Sequence, residues 1–121
     1  MSIEAVLENV DQNLISSLDR LFDLMRIKSI STDPAYKADC KSCGEWLVNE
    51  LNGIGFDASL RMTPGHPMVV AHDKSAASGP HVLFYGHYDV QPVDPLELWD
   101  SDPFAPQIIT MEDGSLSLIH I

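Results

Sequence analysis

The stretch His81-Val82-Leu83-Phe84-Tyr85-Gly86-His87-Tyr88-Asp89 decides the predicted fold. Residues 82–85 are continuously apolar, which is typical of a central strand that is covered on both faces. Gly86 ends this run, and His87 and Asp89 follow it at alternate positions. Side chains two residues apart on an extended backbone project to the same side, so the sequence predicts an imidazole beside a carboxylate at a strand end.

The predicted location of His87 suits a binding site. Ligands of open α/β sheets bind at the carboxyl ends of strands, where the backbone opens into loops. An imidazole that is held by a carboxylate through one ring nitrogen can bind a metal through the other. The local pattern leaves two interpretations of His87 open, a metal ligand or an ordinary strand-end hydrogen bond, and by itself favours the second.

Two amphipathic helices are predicted ahead of the first strand. Apolar side chains recur mostly at spacings of three and four over residues 3–27, with Ser2 as a candidate N-cap. A second helix is predicted over residues 34–54, where Gly53 or Gly55 can supply the left-handed residue that ends it. The apolar face of this second helix is predicted to be Trp46, Leu47, Leu51 and Ile54.

Strands are predicted in the rest of the chain, because its apolar residues no longer recur at the spacing of a helix. Residues 56–61 alternate between apolar and polar, and residues 68–71 form a second apolar run ahead of the run 81–85. Residues 90–106 are rich in proline and aromatic side chains, which predicts an ordered loop. Residues 107–111 are predicted to be a strand that enters a turn. Helices that flank strands in this order indicate an α/β fold.

Composition excludes several classes of partner. The chain of 121 residues has seven basic and 18 acidic side chains and a formal net charge of −11, which repels nucleic acid and anionic membrane surfaces. No apolar run approaches the roughly 20 residues that span a bilayer. No secretory signal is recognised, and two cysteines are too few to form the set of disulfides that stabilises a small secreted protein. The predicted location is therefore cytoplasmic.

The remaining side chains of metal-binding type receive structural interpretations. Cys40 and Cys43 form a C-x-x-C motif, but no second ligand pair accompanies it and it follows a helix start, so the thiols are interpreted as incidental small residues. His66, His72 and His81 are interpreted as structural, although His66 could line a cleft near the site. A redox protein based on the two cysteines stays as a minor alternative.

The longer string Leu83-Phe84-Tyr85-Gly86-His87-Tyr88-Asp89-Val90-Gln91-Pro92 closely resembles a known family. This is the zinc peptidase family that includes acetylornithine deacetylase, succinyl-diaminopimelate desuccinylase, carboxypeptidases and dipeptidases. Its part Tyr88-Asp89-Val90-Gln91-Pro92 is most similar to the dipeptidase branch. The similarity extends over residues 18–114, and its further motifs are Met25-Arg26-Ile27-Lys28-Ser29-Ile30-Ser31, Thr63-Pro64-Gly65-His66-Pro67, Trp99, Asp102-Pro103-Phe104 and Pro106.

The resemblance implies a role for each residue that matches. His87 matches the first zinc ligand of the family, and Asp89 matches the catalytic-site acidic residue that orients or tunes this ligand. The implied cofactor is a pair of zinc ions, with Co²⁺ or Mn²⁺ as substitutes. The implied reaction is hydrolysis of an amide bond in a dipeptide or N-acyl amino acid by metal-activated water, in an intact enzyme that is expected to be a homodimer.

The resemblance also implies how much of the enzyme is present. Residues 1–115 match the N-terminal portion of a three-layer catalytic domain, a mixed sheet flanked by helices. The other metal ligands and the general base are expected outside this chain, so we expect the fragment to be inactive. A non-catalytic α/β binding domain with a structural His87–Asp89 pair is the alternative.

The last six residues, 116–121, depart from the family pattern. They are what the codons CTG-TCT-CTT-ATA-CAC-ATC encode, and this string matches a transposase adapter used in DNA library preparation. We therefore expect residues 116–121 to be a non-native tail, and His120 to have no role as a ligand.

Overall fold

The computed structural model describes residues 2–75 and 78–118, which fall into two compact units. One unit is Ile27–Val93, and the other combines Met1–Arg26 with Asp94–Ile121. His87 and Asp89 both lie in the first of these units, whereas His120 lies outside the described residues. Helices and small sheets occur together in the chain, so the predicted α/β class is confirmed.

The helix predicted over residues 3–27 is wrong in one respect, because the structure has two helices there. These are α1 (Ile3–Gln12) and α2 (Leu14–Met25), separated at Asn13. The side-chain Nδ2 of Asn13 donates to the carbonyl oxygen of Asn9 at 2.8 Å. Asparagine side chains compete for backbone groups in this way and interrupt helices. The predicted N-cap is confirmed, since Ser2 Oγ accepts from the amide of Ala5 at 3.4 Å.

A short hairpin lies in the unit that combines Met1–Arg26 with Asp94–Ile121. Strand β3 (Ile109–Thr110) pairs antiparallel with β4 (Leu116–Ser117), so the strand predicted over residues 107–111 is shorter than expected. Gly114 sits in the connecting turn with φ of +84°, a conformation that glycine adopts without a steric penalty. The loop between residues 90 and 106 contains one 3₁₀ turn, Leu96–Leu98.

The unit Ile27–Val93 is built on one long helix and a hairpin. A 3₁₀ turn, Pro34–Tyr36, is capped by Asp33 and leads into α3 (Lys37–Gly53). Gly55, at φ of +98°, then reverses the chain in the left-handed conformation. Strands β1 (Asp57–Arg61) and β2 (Met68–His72) pair antiparallel, with Leu60 opposite Val69. Both strands agree with the sequence-based prediction.

The face that α3 buries differs from the predicted apolar stripe. Cys40 and Cys43 are 0% exposed and Gly44 is also buried, whereas Ile54 is exposed. The buried positions are the small residues of the helix, because a small side chain lets the helix backbone approach its neighbours closely. The interpretation of the two cysteines as incidental missed this role, since they form the centre of the packed core.

Gly44 marks the tightest approach. A Cβ atom built there would lie 2.7 Å from Leu60 Cδ1 and 3.4 Å from the Tyr88 hydroxyl oxygen. The leucine methyl can move at moderate cost, but a larger side chain would also press on Tyr88. Packing of α3 against β1 and Tyr88 therefore requires glycine at this position.

We predict that Gly44→Val lowers the free energy of unfolding by about 1–3 kcal/mol, the usual cost of overpacking a core. Gly53→Val is the matched control on the same helix, because a Cβ atom added at Gly53 would meet nothing within 4 Å. Urea denaturation followed by circular dichroism measures both. Equal destabilisation by the two substitutions would contradict the close contact.

The strand predicted over residues 81–85 is wrong for the chain as the structure describes it. No regular strand forms there, and Leu83, Phe84 and Tyr85 are 93%, 89% and 91% exposed. A strand needs a neighbouring backbone to accept its hydrogen bonds, and none of the described segments pairs with this run. The run is apolar enough for a central strand, but no sheet within residues 2–75 and 78–118 includes it.

We predict that this exposed run drives self-association. Its backbone hydrogen-bonding groups are unpaired among the described residues and its side chains are apolar, so it can pair with the same run of another chain. Leu83→Lys should shift the sedimentation profile of the 121-residue chain towards monomer. Leu96→Lys replaces another exposed leucine, 56% exposed, outside the run and should change little. A monomeric unsubstituted chain with a sharp cooperative melt would contradict the prediction.

None of the helices among residues 2–75 and 78–118 combines the length and the apolar character that a membrane crossing requires.

Candidate metal centre

The segment that carries His87 and Asp89 is held against residues 29–31. Ile30 and Val90 form an isolated parallel β-bridge, and the amide of Val90 donates to the carbonyl oxygen of Ser29 at 3.0 Å. The hydroxyl of Ser29 donates to the carbonyl oxygen of Tyr88 at 2.8 Å. Ser29 and Ile30 are both buried, so these bonds are shielded from competing water.

Tyr88 also holds this segment in place. Its hydroxyl donates to the carbonyl oxygen of Pro67, which is itself buried. The thiol of Cys43 lies 3.6 Å from the carbonyl oxygen of Tyr88. Burial raises the pKa of the Tyr88 hydroxyl, so it stays protonated and able to donate at neutral pH. Tyr88 therefore anchors the backbone between His87 and Asp89.

His87 and Asp89 contact each other as the alternate spacing predicts. Nδ1 of His87 lies 3.0 Å from Asp89 Oδ1 and 3.0 Å from the Asp89 carbonyl oxygen. An ionised carboxylate and a carbonyl can only accept, so Nδ1 carries a proton, and in the neutral form of the ring Nε2 then keeps the lone pair. The His87 side chain is 76% exposed, which makes that lone pair accessible to a ligand.

The second oxygen of the Asp89 carboxylate is also held. Ser31 Oγ donates to Asp89 Oδ2 at 2.5 Å, within the range of hydrogen bonds from hydroxyls to ionised carboxylates. This bond holds the pKa of the Asp89 carboxyl below its ordinary value; partial burial opposes the effect, and the His87 hydrogen bond adds to it. Asp89 is thus an ionised acceptor at neutral pH.

His66 occupies a structural position next to this group. Its Nε2 lies 2.7 Å from the carbonyl oxygen of Ser31, and Thr63 Oγ1 donates to the carbonyl oxygen of His66 at 2.6 Å. A carbonyl only accepts, so Nε2 of His66 carries the proton. His66 Nδ1 is buried and has no hydrogen-bond partner among the described residues. His66 therefore ties the loop between β1 and β2 to Ser31.

The other candidates from the sequence do not join His87. No group of three or more His, Cys, Asp or Glu side chains arranged to hold a metal occurs within the described ranges, 2–75 and 78–118. His72 and His81 are exposed. Among the described residues, His87 and Asp89 contact each other, and no further side chain of these types joins them in such a group.

Sequence reasoning missed Ser29 and Ser31. Both lie in the motif Met25-Arg26-Ile27-Lys28-Ser29-Ile30-Ser31, which supported the family resemblance without any role for its serines. Their partners are 59 and 58 residues away along the chain. Only the presence of hydroxyl side chains at alternate positions, 29 and 31, could have suggested a pair of contacts with another extended segment.

The two buried cysteines should be chemically inert in the folded chain. Burial raises the pKa of both thiols, and Asp89 and Asp39 reinforce the shift at Cys40. We expect Ellman's reagent to react at least about 100-fold more slowly than with an exposed thiol, which corresponds to about 3 kcal/mol for local opening. Ser78→Cys provides the exposed reference thiol in the same chain. Rapid reaction of Cys40 or Cys43 without denaturant would show that the α3 core is open.

The chain is similar in sequence to curated enzymes. A curated succinyl-diaminopimelate desuccinylase of Bordetella avium is 35% identical over 99 residues, which cover 82% of this chain and 24% of that enzyme. The enzyme of the same name from Nitrosomonas eutropha is 40% identical over 78 residues, 64% of this chain and 19% of that enzyme. No protein-family model matches the chain.

The fold is shared with a solved dipeptidase. The structure of the di-peptidase Dug1p from Saccharomyces cerevisiae superposes with a TM-score of 0.79 and 26% sequence identity. The match covers 93% of this chain and 26% of the Dug1p chain. The chain thus spans about a quarter of the length of the curated relatives and of the solved structure that it matches.

Both the sequence and the fold thus relate this chain to enzymes that are named as hydrolases. It belongs to the family that contains the succinyl-diaminopimelate desuccinylases and the dipeptidase Dug1p. The family predicted from the string around His87 is thereby confirmed.

Proposed function

We propose that His87 binds a zinc ion through Nε2, that Asp89 positions and tunes it through Nδ1, and that the enzyme hydrolyses an amide bond in a small substrate. The observation that carries the proposal is the contact between His87 Nδ1 and Asp89 Oδ1 at 3.0 Å. This contact assigns the proton to Nδ1 and directs the free lone pair of Nε2 away from the carboxylate.

The donor chemistry of the site fits zinc. Zinc sites use neutral imidazole nitrogen, and the second ring nitrogen is commonly bonded to a carboxylate that raises the basicity of the ligand. Asp89 is suited to this task because its own pKa is lowered, chiefly by the hydrogen bond from Ser31. A bound zinc pair, or Co²⁺ or Mn²⁺ in its place, would polarise the scissile carbonyl and activate a water molecule.

One imidazole cannot hold a metal pair, so further ligands and the general base belong to residues outside those described here. In the proposal, residues 1–115 are the N-terminal part of the catalytic domain and have no activity alone. Residues 116–121 are the adapter-derived tail. Sequencing the source DNA beyond codon 115 tests whether residues 1–115 are part of a longer catalytic domain and whether residues 116–121 come from an adapter. A natural stop codon after the present ending would contradict both.

The proposed substrate is a dipeptide or an N-acyl amino acid. The relatives are named for removing a succinyl group and for cleaving dipeptides, and the two activities share an amide bond next to a small acyl or aminoacyl group. The formal net charge of −11 disfavours nucleic acid and anionic membranes as partners. The proposed location is the cytoplasm, and the proposed assembly of the intact enzyme is a homodimer.

We predict that His87→Ala, introduced into the complete enzyme recovered from the source gene, abolishes amide hydrolysis and lowers the zinc content. His81→Ala is the matched control, because His81 is an exposed histidine on the same segment and has no proposed role. Asp89→Asn should retain zinc but bind it about 10- to 100-fold more weakly, the usual effect of losing a supporting carboxylate.

Zinc content comes from elemental analysis and activity from amino-acid release. Unchanged activity and zinc content in His87→Ala would contradict the proposal. That result would support a non-catalytic binding domain in which His87 and Asp89 form an ordinary hydrogen bond.

A further inference from the structure

We infer that Ser31 is a positioning residue of the site, which selects the orientation of the Asp89 carboxylate and, through it, the proton position on His87. This inference deepens the proposed function and rests on it for the metal. Its geometric basis is the continuous chain of hydrogen bonds from Ser31 Oγ to Asp89 Oδ2 and from His87 Nδ1 to Asp89 Oδ1.

The carboxylate of Asp89 requires such a support. The terminal torsion of an aspartate is broad and roughly two-fold, so a carboxylate without a second partner can turn its oxygens away from a neighbouring imidazole. The Asp89 side chain is 43% exposed, and water competes for its oxygens. The Ser31 hydroxyl occupies Oδ2 at 2.5 Å and leaves Oδ1 directed at His87.

Ser31 can perform this task because its own position is fixed by the rest of the unit. His66 Nε2 donates to the Ser31 carbonyl oxygen at 2.7 Å. Two residues earlier, Ser29 accepts from Val90 through its carbonyl and donates to Tyr88 through its hydroxyl. These bonds set the separation between the two segments, and hence the reach from the Ser31 hydroxyl to Asp89.

Ser29 and Ser31 have different roles because they bond to different kinds of partner. Within the segment 88–90, Ser29 bonds to backbone atoms, so it fixes the position of the backbone. Ser31 bonds to the carboxylate itself. Loss of the Ser31 hydroxyl therefore frees the Asp89 side chain while the backbone contact remains, and loss of the Ser29 hydroxyl weakens the backbone contact without removing a donor from Asp89.

The test uses the complete enzyme recovered from the source gene, freed of metal and with ¹⁵N-labelled histidine, observed by long-range ¹H–¹⁵N correlation at neutral pH. In the unsubstituted chain, the His87 signal should show the Nδ1–H tautomer. Ser31→Ala should shift the His87 tautomer population towards Nε2–H. Ser31→Thr, which keeps a hydroxyl, should restore the Nδ1–H form, and Ser29→Ala should retain it.

Titration with Zn²⁺ alone, followed at the His87 ring nitrogens, supplies the second readout. Ser31→Ala should weaken zinc binding at His87 by up to about 10-fold, the lower end of the effect of outer partners of metal ligands. Ser31→Thr should again restore the affinity. His87→Ala should remove the zinc-dependent signal at this position.

The two readouts separate the two proposals. If zinc perturbs His87 but Ser31→Ala changes neither tautomer nor affinity, the positioning role is wrong and the metal ligand stands. If zinc leaves His87 unperturbed while Ser31→Ala still shifts the tautomer, the positioning role stands and the metal ligand is wrong. An equal shift of the tautomer in Ser29→Ala would also overturn the specific role of Ser31.

Discussion

The contact between residues 29–31 and residues 88–90 is the constraint on which the site depends. It joins segments almost 60 residues apart through one parallel bridge and a set of hydrogen bonds from Ser29 and Ser31. The segment 81–86 that precedes it is exposed and has no strand partner in the part of the chain that the structure describes. The geometry of His87 and Asp89 is therefore set by this contact and by Tyr88, and does not require a completed sheet before residue 87.

The close packing of α3 explains how so small a unit holds Tyr88 in place. Cys40 and Cys43 have small side chains and Gly44 has none, so the helix lies directly against Leu60 and Tyr88 at Gly44. The two thiols contribute packing here, with the raised pKa that burial imposes. A C-x-x-C motif on a helix can thus contribute to a packed core beside the His87–Asp89 pair without joining that pair.

The sequence predicted those features that depend on local pattern. The hairpin of β1 and β2, the N-cap at Ser2 and the His87–Asp89 contact follow from period, capping chemistry and the two-residue repeat of an extended chain. The break at Asn13 was missed because the apolar spacing continues through it, and only side-chain competition for Asn9 reveals it. Ser31 was missed because its partner is distant in sequence. The run 81–85 has the composition of a buried strand, but burial depends on neighbours that composition cannot supply.

Asp89 links the chemistry of the site to the scaffold, since one carboxylate oxygen faces His87 and the other faces Ser31. Anomalous diffraction at the zinc edge, from crystals of the complete enzyme, tests this arrangement most directly. We predict a zinc peak at about 2.0–2.1 Å from His87 Nε2, with Asp89 still bonded to Nδ1. A peak bound to Nδ1 with Asp89 displaced, or no peak at His87, would contradict it.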